Sequence, residues 1–306
     1  MVRRWILVLG ALALLGCSSA PREKQEVDER KNQAAEYTEF GNRYFVQGDY
    51  TRALSFFSLA LNNNIAVDNE AGMARSYNSI GKTYLATGQL EEAEASFLEA
   101  LNLAYKTGLP ELIAQSANNL GECYLVKGET GKALGLFREA LEQVEGREDK
   151  QTEAIVLHNL GSAYKKQGDL EASLDYFNRA LEINRELKRY EEMASNHYMI
   201  ASIYSNRNDV EAALGQMEEA LRYDKLVENS VGIAKDYYAM GLIYRKAGRP
   251  EAAYASLERS FNVYQALHMP AELLKLIPGL IELAEGLERS GEAEHYRQVA
   301  AGLRDE

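Results

Sequence analysis

Residues 77–100 read YNSIGKTYLATGQLEEAEASFLEA. Tyr77, Ile80-Gly81 and Tyr84 recur at three- and four-residue spacing, so they share one face of a helix. Gly88 then suits the left-handed residue that ends a helix. Ala93, Phe97 and Ala100, spaced four and three apart, form a second apolar stripe with small residues where helices cross. The stretch is therefore a helix, a tight turn and a second helix.

The same pattern returns at a step of 40. Tyr44, Tyr84, Tyr124, Tyr164, Tyr204 and Tyr244 form one column. With 19 tyrosines in 306 residues, five further hits at a preset step have odds on the order of one in a million. Gly41, Gly81, Gly121, Gly161 and Gly241 align, with Ala201 in the fifth unit. Gly48, Gly88, Gly128, Gly168 and Gly248 align, with Asn208 as the exception. Ala53, Ala93, Ala133, Ser173, Ala213 and Ala253 form another column, and so do Phe57, Phe97, Phe137, Phe177, Met217 and Leu257. Ala60, Ala100, Ala140, Ala180, Ala220 and Ser260 close each unit. The bare glycine of the first helix lets a neighbour approach closely, and the tyrosine supplies a large apolar body with a polar tip. Asp49, Glu129, Asp169 and Asp209 suit the positive end of the second helix, and Pro250 suits a first helical turn.

This succession of a large residue, Leu-Gly, Tyr, Gly, Ala, Phe and Ala resembles the tetratricopeptide-repeat family. The resemblance implies an all-α, right-handed solenoid of antiparallel helix pairs, with six repeats over residues 34–268. The usual unit has 34 residues, so a 40-residue unit implies helices of about 17 residues. Residues 269–306 are expected to form a degenerate seventh pair that caps the array. In it Gly291 takes the turn position, Leu287 replaces the tyrosine, Pro270 opens the first helix and Pro278 kinks or splits it.

The beginning of the chain has another character. Arg3-Arg4 precede an apolar run from Trp5 to Leu15, too short to span a bilayer, which needs about 20 residues. Residues 1–16 therefore read as an export signal. Leu14-Leu15-Gly16-Cys17 resembles a bacterial lipobox, which implies cleavage before Cys17 and acylation of that cysteine. Residues 17–33, with Pro21 and many charges, read as a flexible tether. Ser18 after the cysteine implies, by the enteric sorting rule, the outer membrane, with the body in the periplasm.

Charge and composition narrow the function. The chain has a net charge of −12, which becomes −14 when Arg3 and Arg4 leave with the signal. Such an acidic body argues against nucleic acid as the main partner. His158, His197, His268 and His295 are not spaced with other ligands as a metal set would be, and no Gly-rich phosphate loop occurs. Cys123 reads as a small buried filler. No cofactor, metal or catalysis is expected.

In relatives with an asparagine ladder, the residue before Leu-Gly points inward and bonds a peptide backbone. That implies a binding role for Asn119 and Asn159, with Glu39, Ser79, Met199 and Ala239 departing from the pattern. The preceding position adds Asn78, Asn118, His158, Tyr198 and Tyr238. An amide suits the task because it both donates and accepts. Lys165, Lys166, Arg245, Lys246 and Lys82 stand out against the acidic body as a complement to an acidic partner. The expected function is a membrane-anchored scaffold that binds a protein or peptide of the bacterial envelope. The alternative is an accessory lipoprotein of a solute transporter, which needs an enclosed apolar cavity.

Overall fold

The computed structural model describes residues 19–305. These residues form fourteen α-helices and no strand. They fall into two compact units that divide after Thr107.

The first unit contains α1 (Ser19–Val46), α2 (Tyr50–Ala66), α3 (Glu70–Ala86) and α4 (Leu90–Thr107). The second contains α5 (Pro110–Lys127), α6 (Thr130–Val144), α7 (Lys150–Gln167), α8 (Leu170–Glu186), α9 (Tyr190–Asn206), α10 (Val210–Leu226), α11 (Ser230–Lys246), α12 (Pro250–Ala266), α13 (Pro270–Gly286) and α14 (Ser290–Asp305). Within each unit every helix packs on the next, and the two helices of a repeat pack most extensively. From α2 onward the helices run 15–18 residues, the length the 40-residue period implies.

The repeat columns have a direct packing meaning. A methyl group on Gly41, Gly81, Gly121 or Gly161 would lie 2.5, 2.6, 2.6 or 2.9 Å from the ring of Phe57, Phe97, Phe137 or Phe177. The missing side chain on the first helix is thus the socket for the phenylalanine of the second. In the sixth pair Gly241 faces Leu257 in the same way, at 2.5 Å. In the fifth pair Ala201 and Met217 hold these positions within one buried cluster. An unbranched, flexible chain tolerates the extra methyl where a ring does not. Ser173 and Ser260, which replace alanine in fully buried columns, each place their hydroxyl on a carbonyl of the first helix of their pair. Ser173 Oγ donates to Gly161 O and Ser260 Oγ to Ala234 O, both at 2.7 Å.

Caps and turns set the element boundaries. Asp49, Asp169 and Asp209 accept the N–H three residues on, as the sequence implies, whereas Glu129 makes no side-chain cap. Asn69, Asp149 and Asn229 do the same for first helices. Left-handed residues end the helices every twenty residues or so, glycine at Gly48, Gly88, Gly128, Gly168 and Gly248, and non-glycine at Asp68, Lys188, Asn208, Glu228, His268 and Glu288.

Three expectations require correction. Residues 17–33 read as a tether, yet α1 already runs from Ser19. The Glu, Lys, Arg and Gln of this stretch are good helix formers, and pairs such as Gln25–Glu29 and Arg30–Glu26 close at 3.1 and 3.3 Å, one turn apart. The turn of the last pair centres on Glu288 (φ 58°), not Gly291, which lies inside α14. The 40-residue step from Gly248 therefore persists where its sequence signature has gone. Pro278 does not split α13, which is continuous from Pro270 to Gly286, because the buried residues Leu276, Ile277, Leu280 and Leu283 hold both halves on one core. Cys17 and the export segment lie outside the described residues.

Candidate functional site

In the second unit successive first helices touch, α5 with α7 and α7 with α9. Their shared face is lined by the residues two and three positions before the conserved glycine. Asn118 and Asn119 are buried on α5, and His158 and Asn159 are half-buried on α7. Asn159 Nδ2 donates to Asn118 Oδ1 at 2.9 Å. His158 Nδ1 meets Asn196 Oδ1 of α9 at 2.6 Å, and its ring sits edge-on to Phe177. Burial holds the His158 pKa below the usual imidazole value, so at neutral pH the uncharged ring donates from Nδ1 to the amide oxygen. The amide row is therefore partly turned inward, joining one repeat to the next. Asn78 lies buried on α3 in the first unit, and Lys82 of the same helix is exposed.

The basic residues divide into two groups. Lys166 Nζ donates to Leu125 O at 2.6 Å, and Lys246 Nζ to Ser205 O at 2.5 Å. Each ammonium thus satisfies a carbonyl at the C-terminal end of the preceding first helix, where the helix dipole is negative. Arg245 pairs with Glu282 of α13 at 3.4 Å. Lys165 differs: it is half-buried, it donates to Ser202 Oγ at 2.7 Å, and burial lowers its pKa. Lys166→Met is expected to cost about 0.5–1 kcal/mol through the lost helix-end bond. A urea titration checks this, and an unchanged midpoint would remove that role from Lys166.

Several clefts open on this face. One, of about 140 Å³, lies between α7 and α9 and is lined by Ile155, His158, Asn159, Asn184 and Glu192 among others. A second, of about 430 Å³, lies between α9 and α11. Tyr198, half-buried, forms one wall, with Glu191 on the same helix, and Asp224, Gly232 and Asp236 lie opposite. Asp224 and Asp236 are 5% and 2% exposed. Asp236 is pushed up to about 8, first by burial and then by the adjacent Asp224 charge, and burial also raises Asp224. The Asp224–Asp236 pair escapes a reading by family motif, because it lies outside the motif columns. A signal does exist: the same register holds Val144/Val156 and Tyr264/Leu276 in two repeats and the neutral pairs Asn64/Ser76 and Asn184/Asn196 in two others, all of them buried, so carboxylates there stand in a buried column.

His197 is buried, stacked on Tyr223, with Nδ1 at 2.7 Å from Gln216 Oε1. Cys123 is buried. Among the described residues no group of three His, Cys, Asp or Glu is arranged to hold a metal, and no helix is long and apolar enough to cross a membrane.

Comparison with known proteins agrees with this architecture. Tetratricopeptide-repeat profiles match residues 34–106 and 112–186, and a second profile of the same description matches 236–266. No curated protein matches the chain. Among solved structures, BtubC (BKLC) from P. vanneervenii is 22% identical, with a TM-score of 0.62 over 71% of this chain and 91% of its own. A Rap protein complexed with Competence and Sporulation Factor is 18% identical, with a TM-score of 0.66 over 89% of this chain and 75% of its own. A STAND protein with a tetratricopeptide-repeat sensor, PH0952 from Pyrococcus horikoshii, is 16% identical, with a TM-score of 0.72 over 92% of this chain and 44% of its own. At these identities the likeness is one of fold.

Proposed function

Since this chain is built of tetratricopeptide repeats, a fold suited to protein–protein interaction, we propose that it is a scaffold that binds an extended peptide segment of a partner protein on the first-helix face of its second unit. The observation that carries this reading is the pair of open clefts between α7 and α9 and between α9 and α11, lined by amides, a tyrosine and charged groups. Such a lining fits a peptide, whose backbone both donates and accepts, better than an apolar solute. The Rap protein in complex with Competence and Sporulation Factor shows a related fold holding a second molecule.

Lys165 of α7 reaches across to α9, where it donates to Ser202 Oγ, a residue that lines a further cleft together with Tyr198. It offers a charge to an acidic residue of the partner, and because it is half-buried that pairing is weakly screened. Partners are to be captured from membranes with the full chain and identified by mass spectrometry. Lys165→Met is then expected to weaken the principal partner roughly ten-fold, and Lys166→Met to leave it unchanged. Equal affinity of a folded Lys165→Met variant for every captured partner would move the site elsewhere.

Attachment to the envelope belongs to the same proposal. It rests on Leu14-Leu15-Gly16-Cys17, whose resemblance to a lipobox implies an acylated cysteine, and on Ser18, which by the enteric sorting rule implies the outer membrane with the body in the periplasm. Two or more acyl chains give stable anchoring where one is marginal. Cys17→Ser is expected to abolish labelling by a palmitate analogue and to release the protein from the membrane fraction. Labelling that persists in the variant refutes the anchor.

A further inference from the structure

The register that places Asp224 and Asp236 together occurs in neutral form in the first unit. There Asn69 Nδ2 donates to Asn64 Oδ1 at 2.7 Å, and Asn64 Nδ2 donates to Ser76 Oγ at 3.3 Å. A methyl on Gly72 would lie 2.1 Å from Asn64 Oδ1, so the glycine admits the amide against the next helix. The second unit repeats each part. Asn229 Nδ2 donates to Asp224 Oδ1 at 3.0 Å, and a methyl on Gly232 would lie 2.0 Å from Asp224 Oδ2. The position of Ser76 is taken by Asp236. The neutral set satisfies itself. The acidic set does so only by keeping a proton between its two carboxyls, since Asp236 Oδ2 is buried and no other donor among the described residues reaches it. Packing alone therefore does not call for two carboxylates here.

We propose that the cleft between α9 and α11 receives an arginine side chain of the partner, its guanidinium held by Asp224 and Asp236 and covered by the Tyr198 ring. The proposal rests on the peptide-binding reading above and names what the peptide must carry. A guanidinium is planar, presents paired N–H donors to carboxylate oxygens and stacks on an aromatic face. The cleft's volume of about 430 Å³ and its Tyr198 wall suit that shape. Around the pair stand Glu191 and Tyr198 from α9, Lys235 and Tyr238 from α11, and Tyr264 from α12. Lys235 is exposed at the rim, so it leaves the buried oxygens for another cation. Without a cation the two acids hold one proton between them, because burial, and then the Asp224 charge, keep Asp236 protonated up to about 8. Entry of the guanidinium replaces that proton, which passes to solvent, so affinity for arginine rises with pH up to that value and is level above it.

Two measurements on the full chain test this. In the first, a positional-scanning library of acetylated, amidated heptapeptides is captured on the immobilised protein. Selection of arginine at one position is expected, lost by roughly ten-fold or more in Asp236→Asn and in Asp224→Asn/Asp236→Asn, with other preferences kept. In the second, blocked arginine (acetyl-arginine amide) is titrated into protein labelled with ¹³C at aspartate carboxyls. The Asp236 resonance is expected to move toward that of the ionised carboxylate at pH 7. Peptides that bind with no arginine preference, or with one that survives both variants, overturn the cation site and leave the peptide reading standing. Absence of peptide binding together with an Asp236 response to blocked arginine overturns the peptide reading and leaves the cation site. Neither response overturns both. Circular dichroism of the variants excludes unfolding as the cause.

Discussion

Replacing Gly121 with leucine is expected to destabilise the third repeat by about 3 kcal/mol, near the upper end of overpacking costs. The first atom of the new side chain alone would lie 2.6 Å from Phe137 Cε1, with two more ring carbons within 3.1 Å. Phe137 is fully buried, so its ring has nowhere to turn without displacing α6. Because each repeat leans on its neighbours, the loss spreads to α7 and weakens cooperativity. Hydrogen exchange resolved along the chain is the suitable readout, with protection falling first in α5 and α6. The repeat array itself supplies a rescue. Its fifth pair carries Ala201 with Met217, so Gly121→Ala is expected to be costly alone and largely restored by Phe137→Met. If the double variant is no more stable than Gly121→Ala, the glycine–phenylalanine socket does not explain the column.

Between about pH 4 and pH 8 the Asp224–Asp236 pair is expected to cost stability, and Asp236→Asn to recover it. The unfolded carboxyl ionises near pH 4, whereas in the fold Asp236 ionises at about 8. Below both values neither state is charged and there is no penalty. As pH rises from 4 towards 8 the unfolded state alone gains by ionising, and stability falls; above 8 both are charged and the loss levels off. The size is of order a few kcal/mol. Asparagine in place of Asp236 donates to the Asp224 carboxylate without having to hold a proton, so the variant is expected to be more stable at pH 7 by about 2 kcal/mol or more. His158 and His197 act in the opposite direction. Burial lowers both, so their contribution is present above pH 6.5 and is lost as pH falls below it. The difference between variant and parent, measured across pH by urea unfolding, isolates the acid pair. A difference that stays constant from pH 4 to pH 8 would mean that Asp236 is already ionised in the fold.

The helices, their pairing and their turns were legible because each depends on a few residues near in the chain. Gly121 and Phe137 lie sixteen residues apart on one hairpin, and a step of 40 displays that relation six times with small variations. The second set of turns was harder to see. Asp68, Lys188, Glu228 and His268 adopt left-handed φ without being glycine, since the stacked pairs impose the turn at a local cost of about 1–2 kcal/mol. The helical character of residues 19–33 was obscured by Pro21 and by charge, although one-turn spacing of opposite charges was present in the sequence.

The repeat columns by themselves determine that this protein is a stack of helix pairs, with its small and large buried residues in register, and that its surface is acidic. Local spacing suffices for this, because a helix hairpin satisfies its backbone and much of its core within 40 residues. Which polar residues face a ligand and which face the next repeat was decided only by the tertiary structure. Asn159 meets Asn118 across 41 residues, Lys166 reaches the end of the preceding first helix, and Lys165, next to it, turns to Ser202 of the following one. Asp224 and Asp236 lie twelve residues apart on two helices, and the register marks their positions as buried without showing that the two carboxyls meet. The burial of Asp236 beside a second carboxylate, which raises it to about 8, arises when α10 and α11 pack with Gly232 between them.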